Sequence, residues 1–126
     1  MGGQRVAVVG HCASGKSTVV AALRERGIDA WAVAQEHSAI AELWRRQSPD
    51  ALVYLDVSLE SIRARRGDPH WPQWLYDVQA ARLAVARQQA DIVVSTDSTP
   101  VESVVTRVIT ALAGESGGPA AVVTLR

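Results

Sequence analysis

The sequence predicts an α/β protein: a small parallel sheet of about four to five strands, in three layers with helices on both faces. Three observations carry this. Short apolar runs, 4–8 residues long, alternate with segments of helical periodicity. The runs Val6-Ala7-Val8-Val9 and Ala51-Leu52-Val53-Tyr54-Leu55 lack polar alternation, as strands covered on both faces do. Between the first run and the first helical segment stands Gly10-His11-Cys12-Ala13-Ser14-Gly15-Lys16-Ser17, which fits the phosphate-binding pattern G-x-x-x-x-G-K-[ST].

In order along the chain, Val6–Val9 is the first strand. The helix from Thr18 to Arg26 follows the loop, with Val19, Val20 and Leu23 on one face and Gly27 as its stop. Residues 28–34 read as a second strand, and Gln35-Glu36-His37-Ser38 as a polar loop. Ser38 is positioned to cap a helix reaching Gln47, with Ile40, Leu43 and Trp44 at helical spacing, broken by Ser48-Pro49-Asp50. Ala51–Leu55 is the third strand, ended by Asp56-Val57-Ser58. A short helix, Leu59–Arg66, stops at Gly67. A Pro- and Trp-rich loop, 68–74, leads to a helix from Leu75 to Gln89. The fourth strand centres on Ile92-Val93-Val94. Thr99-Pro100-Val101-Glu102 has the form of a capping box, and Val101, Val104, Val105, Val108 and Leu112 mark an amphipathic helix ending at Gly114. Residues 1–114 thus form one domain. Residues 115–126 form a tail that starts linker-like and ends in an apolar run, either an edge strand or loose chain.

Composition narrows the class. Thirteen basic residues balance thirteen acidic ones, which argues against nucleic-acid or anionic-membrane binding. No apolar run is long enough to span a bilayer, and no signal segment opens the sequence. Cys12 is the single cysteine, so the expected setting is a reducing cytoplasm. His11, His37 and His70 lack zinc-ligand spacing. Twelve of the thirteen basic residues are arginines. The one lysine is Lys16, placed where a compact ammonium suits a phosphate cradle.

The loop predicts nucleotide binding. Glycines at 10 and 15 let successive N–H groups turn inward on a phosphate, and the following helix adds its positive end. Lys16 reaches the outer phosphates, and the Ser17 hydroxyl can ligate Mg²⁺. Residues 10–18, Gly10 to Thr18, are the candidate phosphate contacts. In parallel sheets ligands bind beyond the C-terminal ends of the strands, so Glu36, Asp56, Thr96 and Asp97 join them. Lys16 is expected to face solvent in the free protein.

No Asn occurs in the chain, which excludes the Asn-Lys-x-Asp motif of GTPases. Over most of residues 5–113 the chain resembles the small P-loop kinases, the group of adenylate, shikimate and dephospho-coenzyme A kinases. The likeness rests on the P-loop with Ser17-Thr18, on Leu52–Val57 followed by Ser58–Arg66, and on Ala90–Asp97 followed by a Pro-capped helix. It implies a P-loop NTPase fold and ATP with Mg²⁺ as cofactors. It also implies transfer of the γ-phosphate to a small-molecule acceptor, with lid arginines over the triphosphate and a loop at Thr96 and Asp97 near the adenine. Of Arg63, Arg65 and Arg66, Arg63 and Arg66 are assigned the catalytic role beside Lys16 and Glu36. The segment 28–50 is shorter than the substrate-binding insertion of that group. Two acids compete for Mg²⁺ alongside Ser17. Asp56 ends an apolar run in the Walker B manner, whereas the resemblance shifts the role to the strand before it and hence to Glu36. Trp71 and Trp74 either form a mobile lid or pin their loop to the core. Two other outcomes fit the same motif: a simple NTPase with water as acceptor, and a nucleotide-dependent binding module without turnover.

Overall fold

The computed structural model describes residues 4–114 and 123–125. The chain forms β1 (Arg5–Gly10), α1 (Lys16–Glu25), β2 (Asp29–Ala32), β3 (Ala51–Asp56), α2 (Leu59–Arg66), α3 (Gln73–Gln89), β4 (Ile92–Ser95) and α4 (Val101–Leu112). The four strands are parallel in the order β2-β1-β3-β4. Val123–Leu125 pairs in parallel outside β4 as an edge strand, β5; the linker-like start of the tail, at 115–119, lies outside the described residues.

Strand alternation sorts the core. Val6 and Val8 of β1, with Val53 and Leu55 of β3, point to one face and meet Val19 and Leu23 of α1 and Val104, Val105 and Val108 of α4. Ala7 and Val9, with Leu52 and Tyr54, point to the other face and meet Leu83 and Ala86 of α3, with Trp44 beside them. β1 and β3 are covered on both sides, which is why their sequences are unbroken apolar runs. Ser58 caps α2 by accepting from Ser61 N at 3.1 Å, and Gly67 closes it at φ 65°. Among the described residues no helix is long and apolar enough to cross a membrane.

Several elements differ from the sequence reading: α1 starts at Lys16 instead of Thr18, β2 ends at Ala32 instead of residue 34, and three further differences have a visible cause. The helix expected over 38–47 is instead a 3₁₀ turn at Leu43–Gln47. The buried Gln35 side chain accounts for this. Its amide donates to Ile40 O at 2.6 Å and its carbonyl accepts from Trp44 N at 3.2 Å, so these backbone groups are satisfied without an α-helical ladder. Ser38 Oγ accepts from Ile40 N at 3.0 Å, a local turn and not a helix cap. The Thr99 capping box does not form either: Pro100 occupies the cap position, one residue too late for Thr99 to act. Glu102 pairs with Arg26 at 3.3 Å. Finally, α3 starts at Gln73, two residues before the expected Leu75, because Pro72 is preset for the position preceding a helix.

Candidate functional site

The glycine loop leaves β1 at the C-terminal edge of the sheet and turns directly into α1. Gly10 is required by close approach: a Cβ there would lie 2.7 Å from both Leu55 O and Ser14 Oγ. Gly15 adopts φ 100° just before the first helical residue, a conformation that side chains disfavour. Ala13 also sits in the left-handed region, at φ 62°.

Other elements hold the loop from two sides. From α3, the buried Gln79 accepts from Cys12 N at 3.1 Å, and the Tyr76 ring stacks on the His11 ring at 4.1 Å between centroids. His11 Nε2 bonds Tyr76 O at 3.1 Å. A carbonyl can only accept, so Nε2 carries the hydrogen. Burial pushes the His11 pKa down, favouring the neutral ring. From the opposite side, Thr96 Oγ1 donates to Ser14 O at 3.0 Å, and Arg65 donates to Ala13 O at 2.8 Å and to Thr96 O.

Lys16 is not turned to solvent as expected; its side chain is 13% exposed. Nζ bonds Gly10 O at 2.9 Å, His11 O at 3.1 Å and Glu36 Oε2 at 2.7 Å. Three acceptors match the three ammonium donors. Glu36 stands on a 3₁₀ turn, Gln35–His37, just beyond β2, with its side chain only 4% exposed. His37 Nε2 lies 3.6 Å from the same carboxylate oxygen, and Arg82 donates to the Glu36 backbone carbonyl at 3.3 Å. Glu36 Oε1 is buried with no protein partner.

The structure thus divides the sequence-derived candidates. Gly10 to Lys16 and Glu36 come together, with Ser17 and Thr18 exposed on the first turn of α1. Asp56 lines the cleft that also takes in His11 and pairs with Arg87 at 3.5 Å. Thr96 touches the loop, whereas Asp97 turns away and accepts from Ser58 N at 2.8 Å. Arg63 and Arg66, expected from sequence as catalytic lid arginines over the triphosphate, both contact Trp71: Arg63 Nε donates to its carbonyl at 2.8 Å, and the Arg66 guanidinium lies 5.7 Å from its ring centre. Residues three apart share a helix face, so Arg63 and Arg66 turn together, and Arg65 is the one that reaches the loop. The two tryptophans also separate. Trp71 is buried with Val57 and Ile62 and pins its loop to the core, whereas Trp74 is 66% exposed.

A cleft opens on each side of the loop. One, of about 350 Å³, runs along Ser14, Thr18, Arg65, Thr96, Thr99 and Val101. The other, of about 490 Å³, lies between β3 and α3 and includes His11, Tyr54, Asp56 and Arg87. The braces Gln79 and Tyr76 were not singled out from sequence as loop contacts, and a Gln within a helix gives no signal that could have found one. Among the described residues no three His, Cys, Asp or Glu side chains group as metal ligands. The Ser17 hydroxyl and the unpartnered Glu36 Oε1 are hard oxygens of the kind Mg²⁺ accepts, directly or through water. No protein-family model matches the chain, and no curated protein matches it in sequence.

Proposed function

We propose that this chain is a P-loop nucleotide-binding protein of the three-layer α/β/α NTPase fold. It binds ATP with Mg²⁺ and transfers the γ-phosphate to a small-molecule acceptor in the cytoplasm. The observation that supports this most is the placement of Lys16. Its ammonium lies over the glycine loop, held by two loop carbonyls and the Glu36 carboxylate at the C-terminal edge of a parallel sheet. Phosphate oxygens would replace those partners and gather the N–H groups of the loop and the first turn of α1. Ser17 and Glu36 would hold Mg²⁺, which neutralises charge on the phosphates when bound. The 350 Å³ cleft, with apolar and hydroxyl walls, suits the base and sugar.

Catalysis on this reading is positioning and electrostatics. Lys16 fixes the phosphates. Arg65 holds the Ala13 carbonyl, and so the loop, in one shape. The test is ADP release from labelled ATP, with and without a panel of hydroxylated metabolites. Release stimulated by one of them supports transfer. Release in water alone reassigns the chain as an NTPase. Tight binding without release makes it a nucleotide-dependent binding module.

A further inference from the structure

Among the described residues Ala13 and Ser48 are the two non-glycines with positive φ, and Ala13, at 62°, lies inside the glycine loop. A residue with a Cβ resists this left-handed region and stays there only where its surroundings dictate it. The contacts on both sides of Ala13 do so. On the N-terminal side, Gln79 Oε1 accepts from Cys12 N at 3.1 Å, and Gln79 Nε2 lies 3.5 Å from Cys12 Sγ. One amide, only 1% exposed, thus grips residue 12 by backbone and side chain together. One step further back, His11 is held by Tyr76, whose own hydroxyl donates to Val57 O at 2.8 Å. On the C-terminal side, Arg65 donates to Ala13 O at 2.8 Å and Thr96 Oγ1 to Ser14 O at 3.0 Å. Left-handed residues at 13 and 15, with φ of 62° and 100°, fold successive N–H groups toward one side, the concavity that receives an anion. Gln79 takes the N–H of Cys12, and Ser14 N donates to His11 O at 3.1 Å. The first-turn N–H groups of α1, which lack intrahelical partners, are left for the anion.

We propose that Gln79 is a positioning residue for phosphate: by holding Cys12 N–H it keeps Ala13 left-handed, and the loop open to an anion before one arrives. Gln79 touches no phosphate itself. Without its hold Ala13 relaxes to an ordinary conformation, and binding has to restore the strained turn, which weakens it. Glycine at position 13 adopts the same φ without strain, so it removes the need for the hold. This role rests on the phosphate reading of the loop given above.

The test titrates inorganic tripolyphosphate, which has the phosphates of a nucleotide without base or sugar, into the whole chain by calorimetry. Exchange of the Cys12 amide is followed by NMR. Gln79→Met keeps the side-chain length and removes the acceptor. It should weaken binding by about tenfold, the effect of one strained backbone residue. Adding Ala13→Gly should bring binding back to within about threefold of the unaltered chain. Leu83→Val, on the same helix but packed in the core, should lower the melting temperature and leave the affinity as it was. Gln79→Met binding as tightly as the unaltered chain, a loss that Ala13→Gly does not rescue, or an equal loss in Leu83→Val each overturns the proposal. Should Gln79→Met misfold, the unaltered chain decides. Its Cys12 amide should exchange slowly both free and bound; exchange that quickens when tripolyphosphate binds would mean that Gln79 lets go, and overturns the proposal. No binding of tripolyphosphate or ATP by the unaltered chain removes the nucleotide reading and this role with it. Binding by the unaltered chain that Gln79→Met matches removes this role alone.

Discussion

The two clefts beside the glycine loop each carry an arginine, and the two arginines are used in opposite ways. Arg65, in the cleft toward α4, is committed to backbone: it donates to Ala13 O and Thr96 O. Arg87, in the cleft toward α3, holds one loose contact to Asp56 and lies over Tyr54. The first arginine is a brace that sets the shape of the loop. The second ties a carboxylate and a ring together at the end of β3. The walls follow the same division. The α4 side is hydroxyls, valines and loop backbone, whereas the α3 side gathers an acid, a base and three rings. What an arginine's N–H groups already hold says more about its role than its distance from the motif.

The largest effect should come from the Lys16–Glu36 pair under the loop. Lys16→Ala strands a buried Glu36 carboxylate and should destabilise the fold by about 3 kcal/mol, read by urea denaturation. Adding Glu36→Gln should restore most of that loss, because no buried charge then lacks a partner. Additive losses would mean the two side chains do not depend on each other.

The two acids give the next largest effect. Glu36→Gln should lower Mg²⁺-dependent turnover by about tenfold more than Asp56→Asn does, since Glu36 lies on Lys16 and Asp56 on Arg87. The opposite ranking would transfer the metal-holding role to the α3 side. The arginines differ more modestly, and in stability. Arg65→Ala should cost about 1 kcal/mol and speed hydrogen exchange across the loop. Arg87→Ala should cost less than about 0.5 kcal/mol, as a half-exposed pair does. Equal costs would erase the contrast between the two arginines.

The smallest effect is in pH. Burial lowers the His11 pKa in the folded chain, while the unfolded chain titrates near 6.5. Below about pH 6.5 the unfolded state therefore binds the proton first, and stability should fall as pH drops through the folded value. His11→Gln should flatten this part of the melting-temperature profile and leave the carboxylate region below about pH 5 unchanged.

These contrasts also show what the sequence could reveal. The loop, β1 and β3 were legible because their requirements are local: a glycine at 10 where a Cβ would collide, a glycine at 15 with positive φ, and apolar residues on both faces of a central strand. Helix α2 was legible to the residue because Ser58 and Gly67 cap it. The segment 35–47 was not, because one buried side chain, Gln35, decides its path through contacts with Ile40 and Trp44 that no spacing rule encodes. Glu36 was placed beside the site by its position after a strand, but its ion pair with Lys16 depends on how β2 sits next to β1. The choice of Arg65 over Arg63 and Arg66 depends on helix phase, which is fixed by the burial of Ile62 and Trp71. A run of three arginines within four positions cannot show that phase by itself.

The central claim is that the loop and its lysine form a nucleotide phosphate site. Its most direct test is calorimetric titration of Mg²⁺-free ATP into two proteins that differ at Lys16 alone, Glu36→Gln and Glu36→Gln with Lys16→Ala, which avoids both the stranded carboxylate and the metal. The account predicts one-to-one binding to the first and at least about a hundredfold weaker binding to the second. Equal affinity in the two proteins, or no binding to either, would contradict it.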